Sequence, residues 1–388
     1  MREQQICMAQ SCATDVRQAV AEFHAAVMQA DTELVVFFCS SKYDLSVLEQ
    51  EMRRLFVGVH VVGCTTAGEI GPAGCVQHSL SGVSFPPGSC VAVSGLLEDL
   101  VDFSVEQGYA FSQALLQNLE KKIPGADAEN SFALLLIDGM SEREELVAHA
   151  MQYGLGDIPV VGGSAGDDME FDKTYVYFDG HFHTDSAVLV LVSTFLPFMA
   201  FKTQHLVVTD IRFVVTEADT DQRVIREING LPAAAEYARL VGLKVEELTS
   251  THFATSLVVV MIDGVEYVRS IKSANPDGSL SFFCAIEEGL VLRLARGANL
   301  LPNLEQMFAT INSKIGKPQL VFGFDCAFRM IEIQQQGLIE PVNAIFRKNN
   351  TVGFNCYGEQ IYGIHVNQTL TGLAIGTHPM GGRGYSDE

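Results

Sequence analysis

The chain has 388 residues, 48% of them hydrophobic and 19% charged, enough apolar material for two sizeable cores and too much for a disordered chain. Its 25 basic and 47 acidic side chains leave a net charge of -22. Such a surface repels nucleic acid and anionic lipid, which bind through clustered Lys and Arg, so a small molecule or a protein is the expected partner. The opening residues MREQQICMAQ carry no apolar stretch of the signal-peptide kind. The apolar run Ser186 to Phe201 is interrupted by Thr194 and Pro197 and is too short to span a bilayer. Nine cysteines without C-x-x-C spacing point to reduced thiols and a cytoplasmic location, not to a disulfide framework or a structural zinc site.

In chain order, ELVVFFCSS predicts a strand ending at Cys39, YDLSVLEQEMRRLF a helix, and VVGCTTAGEI a strand running into a Gly-Glu turn. SFALLLIDG, REELVAHAMQYGLG and IPVVGGSAGDD repeat that strand–helix–strand plan more weakly. TYVYFDGHFHTDSAVLVLVS then alternates as an antiparallel pair turning at Asp179-Gly180. A fresh unit starts near residue 220 with a β-pair, a helix opened by Pro232, and strands in SLVVVMIDGVEYVRSI and SLSFFCAI. A helix from about Pro302 to Lys314 follows. QLVFGFDCAFR ends a strand at Cys326, FRMIEIQQQGLIEPVNAIF is helical, and VGFNCYGEQIYGIHVNQTLTG closes the series. Gly63, Gly68, Glu69, Leu80 and Gly82 recur as Gly353, Gly358, Glu359, Leu370 and Gly372, at a constant offset of 290. The Gly-Glu turn is therefore architecture first. The expected fold is α/β, with two related domains of mixed β-sheet and packed helices built from repeated strand–helix–strand units, spanning 30–220 and 221–376. The glycine-rich tail HPMGGRGYSDE is expected to be loosely ordered.

The ordered motifs GCTTAGEI, VVGGSAGDD with TYVYFDG, NGLPAAAEYARLVG, LVFGFDCAFR and GEQIYGIHVNQTLTG resemble those of FIST proteins, over roughly 30 to 375. The resemblance implies a cytoplasmic sensory module with an N-type and a C-type FIST domain. Such a module binds a small ligand and signals to a kinase, cyclase or chemotaxis component. Stand-alone bacterial members include a nitric-oxide-sensing haem protein that regulates a histidine kinase. The resemblance thus brings in haem b as a candidate cofactor and a histidine kinase as a candidate partner.

Haem needs a proximal ligand and an apolar pocket. His365, inside the second Gly-Glu motif, is the first candidate for the iron ligand, and His181 and His183 on the predicted hairpin are the others. Any haem would be non-covalent, since C-x-x-C-H is absent. A second reading is an amino-acid or metabolite pocket. Arg329, just after Cys326, could clamp a carboxylate, Glu359 beside Gly358 could take an amine, and Asn367 and Thr369 could add directional hydrogen bonds. Alternatively, Arg329 and Glu359 pair with each other and tie two strands. A third reading is an interaction scaffold without a pocket. An enzyme is not expected. GGSAG matches the G-x-S-x-G elbow, but an acidic loop and a strand follow it instead of a helix. Cys326 and Cys356 lack an evident activating base, and no phosphate-binding loop is present.

Overall fold

The computed structural model describes residues 5–262 and 264–377; the glycine-rich tail lies outside the described residues. Three copies of one unit form the body of the molecule. In the first copy an outer strand Cys7–Ser11 and helix Val16–Val27 lead to strand Leu34–Ser40, helix Leu45–Leu55 and strand Val61–Thr66. A hairpin (Glu69–Gly71, Gly74–Val76) and closing strand Leu80–Phe85 complete it. The second copy runs Cys90–Leu97, Val105–Lys122, Ser131–Ile137, Glu144–Leu155, Val160–Ser164, hairpin Val176–Phe178 with His181–His183, and Ala187–Thr194. The third runs Phe198–Thr203, Leu300–Ile315, Leu320–Cys326, Ala327–Gln335, Ile339–Lys348, Thr351–Cys356, hairpin Glu359–Ile361 with Ile364–Val366, and Leu370–Ile375. The helical stretch expected after Cys326 is two helices, broken where Gly337 takes φ 67°.

Sequence pattern explains the units. Leu34–Ser40, Ser131–Ile137 and Leu320–Cys326 are buried along their whole length. Each lies parallel to the strand after its helix, where unbroken apolar runs belong. Asp15 and Asp44 cap the first two helices, and Ser104 with Gln107 forms a capping box on the third. The shared glycine has a steric cause. A Cβ on Gly63, Gly162 or Gly353 would collide with the carbonyl oxygen of Phe37, Leu135 or Gly323 on the adjoining parallel strand.

Each hairpin leaves its own copy and completes the sheet of another. Ile70 and Glu69 of the first copy pair with Gly353 and Phe354 of the third. Glu359 to Ile361 of the third pair with Gly163 to Val161 of the second. Val176 and Tyr177 of the second pair with Cys64 and Gly63 of the first. The exchange closes a ring of three six-stranded mixed sheets and covers strand edges that would otherwise lie open. A shared core fills the centre, where Phe38 packs on Phe354 at 4.8 Å and Phe85 on Phe322 at 6.2 Å. The mixed α/β class built from repeated strand–helix–strand units is thus observed, with the weak middle copy a full member.

The fresh unit expected near residue 220 is an insertion within the third copy. It begins with the long strand Leu206–Asp219 and ends with Val291–Gly297, forming one eight-stranded antiparallel sheet with helices Ala233–Val241 and Ser250–Thr255. Its apolar core takes in Cys326 and Phe328 of the third copy, with Met169 and Phe171 of the second packed against it.

Candidate functional site

The two Gly-Glu corners are built alike. Glu69 Oε2 accepts from the backbone N–H and hydroxyl of Ser79, each at 2.8 Å, while Oε1 pairs with the Thr66 hydroxyl. Glu359 Oε2 accepts from the N–H of Thr369 at 3.1 Å and its hydroxyl at 2.6 Å, with the Cys356 thiol 3.3 Å from Oε1. Burial pushes both carboxyls up to about 8. Glu359 and Thr369 are therefore neutral partners of each other inside the protein. The middle copy differs. Asp168 accepts from the hydroxyls of Ser40 and Ser41, at 2.7 and 2.9 Å.

Arg329 does not pair with Glu359. Its Nε donates to Asp325 at 2.7 Å, and Nη1 lies 2.8 Å from His205 Nδ1, whose Nε2 lies 2.9 Å from Glu332. All four side chains are almost fully buried. His205 sits between Phe198–Thr203 and the insertion, so this chain locks the insertion's first linker to the end of Leu320–Cys326. Arg223 provides a second strap. It donates to the Phe283 carbonyl at 2.8 Å and to Glu144 and Glu145 at 3.0 and 2.5 Å.

Between these straps lies a seam where the insertion meets the third copy. Its small cavity is lined by Phe171, Ser270, Phe283, Cys326, Tyr357 and Asn367, among others. The cavity volume of about 10 Å³ admits about one water. Aromatic rings fill the rest. Phe171 stacks on Tyr357 at 4.6 Å and packs on Phe283 at 5.3 Å, and Phe283 meets Phe328 edge-on at 5.4 Å. Two neutral polar atoms on the cavity's lining residues, Asn367 Oδ1 and Ser270 Oγ, are buried and have no protein partner. Such groups cost free energy unless something hydrogen-bonds them.

The loop carrying Phe171 is held under strain. Asp168, Met169 and Phe171 take φ of 56°, 69° and 56°, a left-handed conformation unfavourable to bulky side chains. Compensation comes from Asp167, whose carboxylate accepts from the N–H groups of Phe171, Asp172 and Lys173 at 2.7–2.9 Å. The Tyr357 hydroxyl donates to Asp167 and accepts from the Asp167 and Met169 N–H groups, at 3.3 and 3.0 Å.

His365 lies just behind Asn367. A Cβ on Gly358 would collide with its imidazole and approach the Asn367 amide at 3.2 Å, so glycine lets the strand end close on both side chains. Gln360 Nε2 faces the Gly358 carbonyl, which only accepts, and lies 3.2 Å from His365 Nδ1. The other ring nitrogen, Nε2, has no protein partner. Burial lowers this histidine to about 4, so it is neutral. These surroundings do not fit a haem: the imidazole is enclosed by protein, and the adjoining cavity holds about one water. His181 and His183 sit on the surface hairpin beside Glu49 and Glu98, at 3.6 and 3.7 Å, in ionic rather than apolar surroundings. Among the described residues no three His, Cys, Asp or Glu converge as metal ligands.

Of the residues singled out by sequence, Cys326 and Asn367 line the seam, while Gly358 and His365 stand directly behind it. Glu359 and Thr369 form the corner, and Arg329 belongs to the hinge. Phe171, Ser270, Phe283 and Tyr357 were missed. Tyr357 had a faint signal, since it places a bulky aromatic directly before the shared Gly-Glu pair where the first motif has Ala67. Ser164 of GGSAG is fully buried and accepts from Gln360 at 2.8 Å, and no helix follows it directly. Burial holds the Cys326 and Cys356 thiols well above their usual range.

Comparison with known proteins follows this geometry. The FIST N domain profile matches residues 33–231 and the FIST C domain profile residues 233–362. An uncharacterized protein of Methanocaldococcus jannaschii is 25% identical over 206 residues, covering 50% of this chain and 39% of that protein. The chain thus spans well under half the length of that relative. Two solved cyanuric acid hydrolase structures are similar at low level. That from A. caulinodans is 10% identical with a TM-score of 0.31, covering 52% of this chain and 72% of its own. The other is 8% identical with a TM-score of 0.35, covering 96% and 99%. The chain belongs to the FIST family, with a FIST N domain followed by a FIST C domain.

Proposed function

We propose that this protein is a sensor, not an enzyme, and that its ligand enters the seam between the insertion and the third copy. The observation that carries this reading is the pair of buried, unpartnered polar atoms, Asn367 Oδ1 and Ser270 Oγ, on residues that line an aromatic cavity where the insertion meets the body. A ligand supplies their missing hydrogen bonds and takes the place of Phe171 over Tyr357. None of the cavity's lining side chains is charged, and Arg329 and Glu359 are engaged elsewhere. The ligand class is therefore an uncharged, flat, mostly apolar metabolite with a donor and an acceptor, in preference to haem or a free amino acid. Entry shifts the insertion against the body, and a signalling partner such as a histidine kinase reads that shift. The strained loop at Asp168–Phe171 supplies a two-state element for the response.

A thermal-shift screen of uncharged aromatic metabolites tests this. A ligand present at 100-fold its Kd raises stability by about 2.7 kcal/mol. The Asn367→Leu variant is expected to fold and to lose the shift. A hit that stabilises Asn367→Leu as well as the native chain places the ligand elsewhere.

A further inference from the structure

The outer surface of the second copy carries an aromatic face unlike the rest of the molecule. On helix Glu144–Leu155, Leu146, His149 and Tyr153 are exposed at positions that fall along one stripe. Tyr153 is 68% exposed, its ring 5.3 Å from Tyr109 on the neighbouring helix and stacked on His149. The tip of the third copy's hairpin adds Tyr362 and Ile364, 52% and 43% exposed. That tip lies against the same helix, where a Cβ on Gly363 would come within 2.7 Å of Gln152. Together these side chains expose on the order of 400 Å², counting about 200 Å² for a whole aromatic side chain. That lies well within the range of about 300–600 Å² for the largest apolar patches on monomers, which are often functional.

The face is also poor in charge, with exposed Glu106 and Asp157 only at its margins. No Asp, Glu, Lys or Arg occurs in 107–119, 146–156 or 360–376, the three segments that build it, although the chain as a whole carries -22. The last acids before the helical stripe, Glu144 and Glu145, are tied to Arg223. A basic partner would be drawn to the acidic surface elsewhere. Two copies of this chain repel each other over most of their surface and meet at least cost where charge is sparse. A helix stripe of this kind also suits a two-fold contact, in which one patch faces itself.

We propose that this face joins two copies of the chain in a symmetric dimer through Leu146, Tyr153, Tyr109, Tyr362 and Ile364. A shift of the third copy's hairpin then reaches the neighbouring copy through Tyr362 and Ile364. The apolar patch supplies about half of the roughly 800 Å² that each partner buries in a standard interface, with the polar rim of Gln and Asn side chains supplying the remainder.

Sedimentation of the full chain across micromolar concentrations, at low and high salt, tests the proposal. A dimer that tightens as salt screens the like charges is expected, with Tyr153→Glu weakening it at least tenfold while circular dichroism stays unchanged. Phe195→Glu, at an equally exposed residue (71%) outside this face, serves as the control and leaves the dimer intact. A wild-type chain that stays monomeric throughout overturns the proposal, including one that uses this face for a different protein. So does a dimer that survives Tyr153→Glu or is broken only by Phe195→Glu.

Discussion

Replacing Glu69 or Glu359 with glutamine tests whether the twin corners are held by neutral acids. Each carboxyl rises from an ordinary 4.5 to about 8 through burial. Because the folded protein holds these protons more tightly than the unfolded chain, their contribution to stability is greatest below about pH 4.5. It falls as pH rises towards 8 and then levels off. At about 1.4 kcal/mol per pH unit, each site costs on the order of 5 kcal/mol above pH 8. Glutamine reproduces the neutral form. Its carbonyl accepts from Ser79 or Thr369, and its NH₂ donates to the Thr66 hydroxyl or the Cys356 sulfur. Urea unfolding of Glu359→Gln should match the native chain within about 1 kcal/mol at pH 5 and exceed it by several kcal/mol at pH 9. Comparing variant with wild type isolates this term from the buried thiols, which burial keeps protonated in the fold and which lose their protons at alkaline pH only on unfolding. Glu359→Ala strands the N–H and hydroxyl of Thr369 and should fall about 2–5 kcal/mol below the native chain at pH 5, and below Glu359→Gln by a similar amount at pH 9. A Glu359→Gln chain that is several kcal/mol weaker at pH 5, or never stronger at pH 9, refutes the reasoning, because the corner would then need the ionised carboxylate.

Arg329→Ala leaves Asp325 buried without its cation and should cost about 3–5 kcal/mol in urea unfolding; a loss under about 1 kcal/mol would contradict the hinge lock. Tyr357→Phe removes the peg that holds Asp167 and Met169, and should raise proteolytic nicking within 167–173 while leaving the global unfolding midpoint within a few degrees. Cleavage confined to other loops would count against that role. Hemin mixed with the protein should emerge from a desalting column unbound, and a Soret band that disappears in His365→Ala would restore the haem reading.

Much of the fold was legible because it rests on local physics. Unbroken apolar runs marked the central strands, and Asp179-Gly180, with φ of 47° and 84°, marked its hairpin by turn chemistry. The constant offset exposed two copies, since the glycine and glutamate obey the same steric and hydrogen-bonding demand in each. The middle copy stayed faint because Asp168 bonds to Ser40 and Ser41 of another copy, not to a residue ten positions onward. The exchange of hairpins left no trace, because period-two alternation says which face of a strand is buried but not whose strand lies beside it. The insertion's first residues continue a β pattern from Phe198–Thr203, which hid its start. At the site, Asn367 and Cys326 could be named from the motif. Phe171, Ser270 and Phe283 could not, since they come from distant segments with no spacing of their own. The Arg329–Asp325 pair, four residues apart on the chain, was available to sequence reasoning as a local alternative to Glu359.

Hydrogen exchange of the full chain, with and without a ligand from the thermal-shift screen, tests the central claim most directly. The seam account predicts faster exchange in 167–173 as the strained loop releases, and slower exchange around Ser270 and Asn367 as their free atoms gain partners. Unchanged exchange in all three places, with protection gathered in a different part of the molecule, would contradict it.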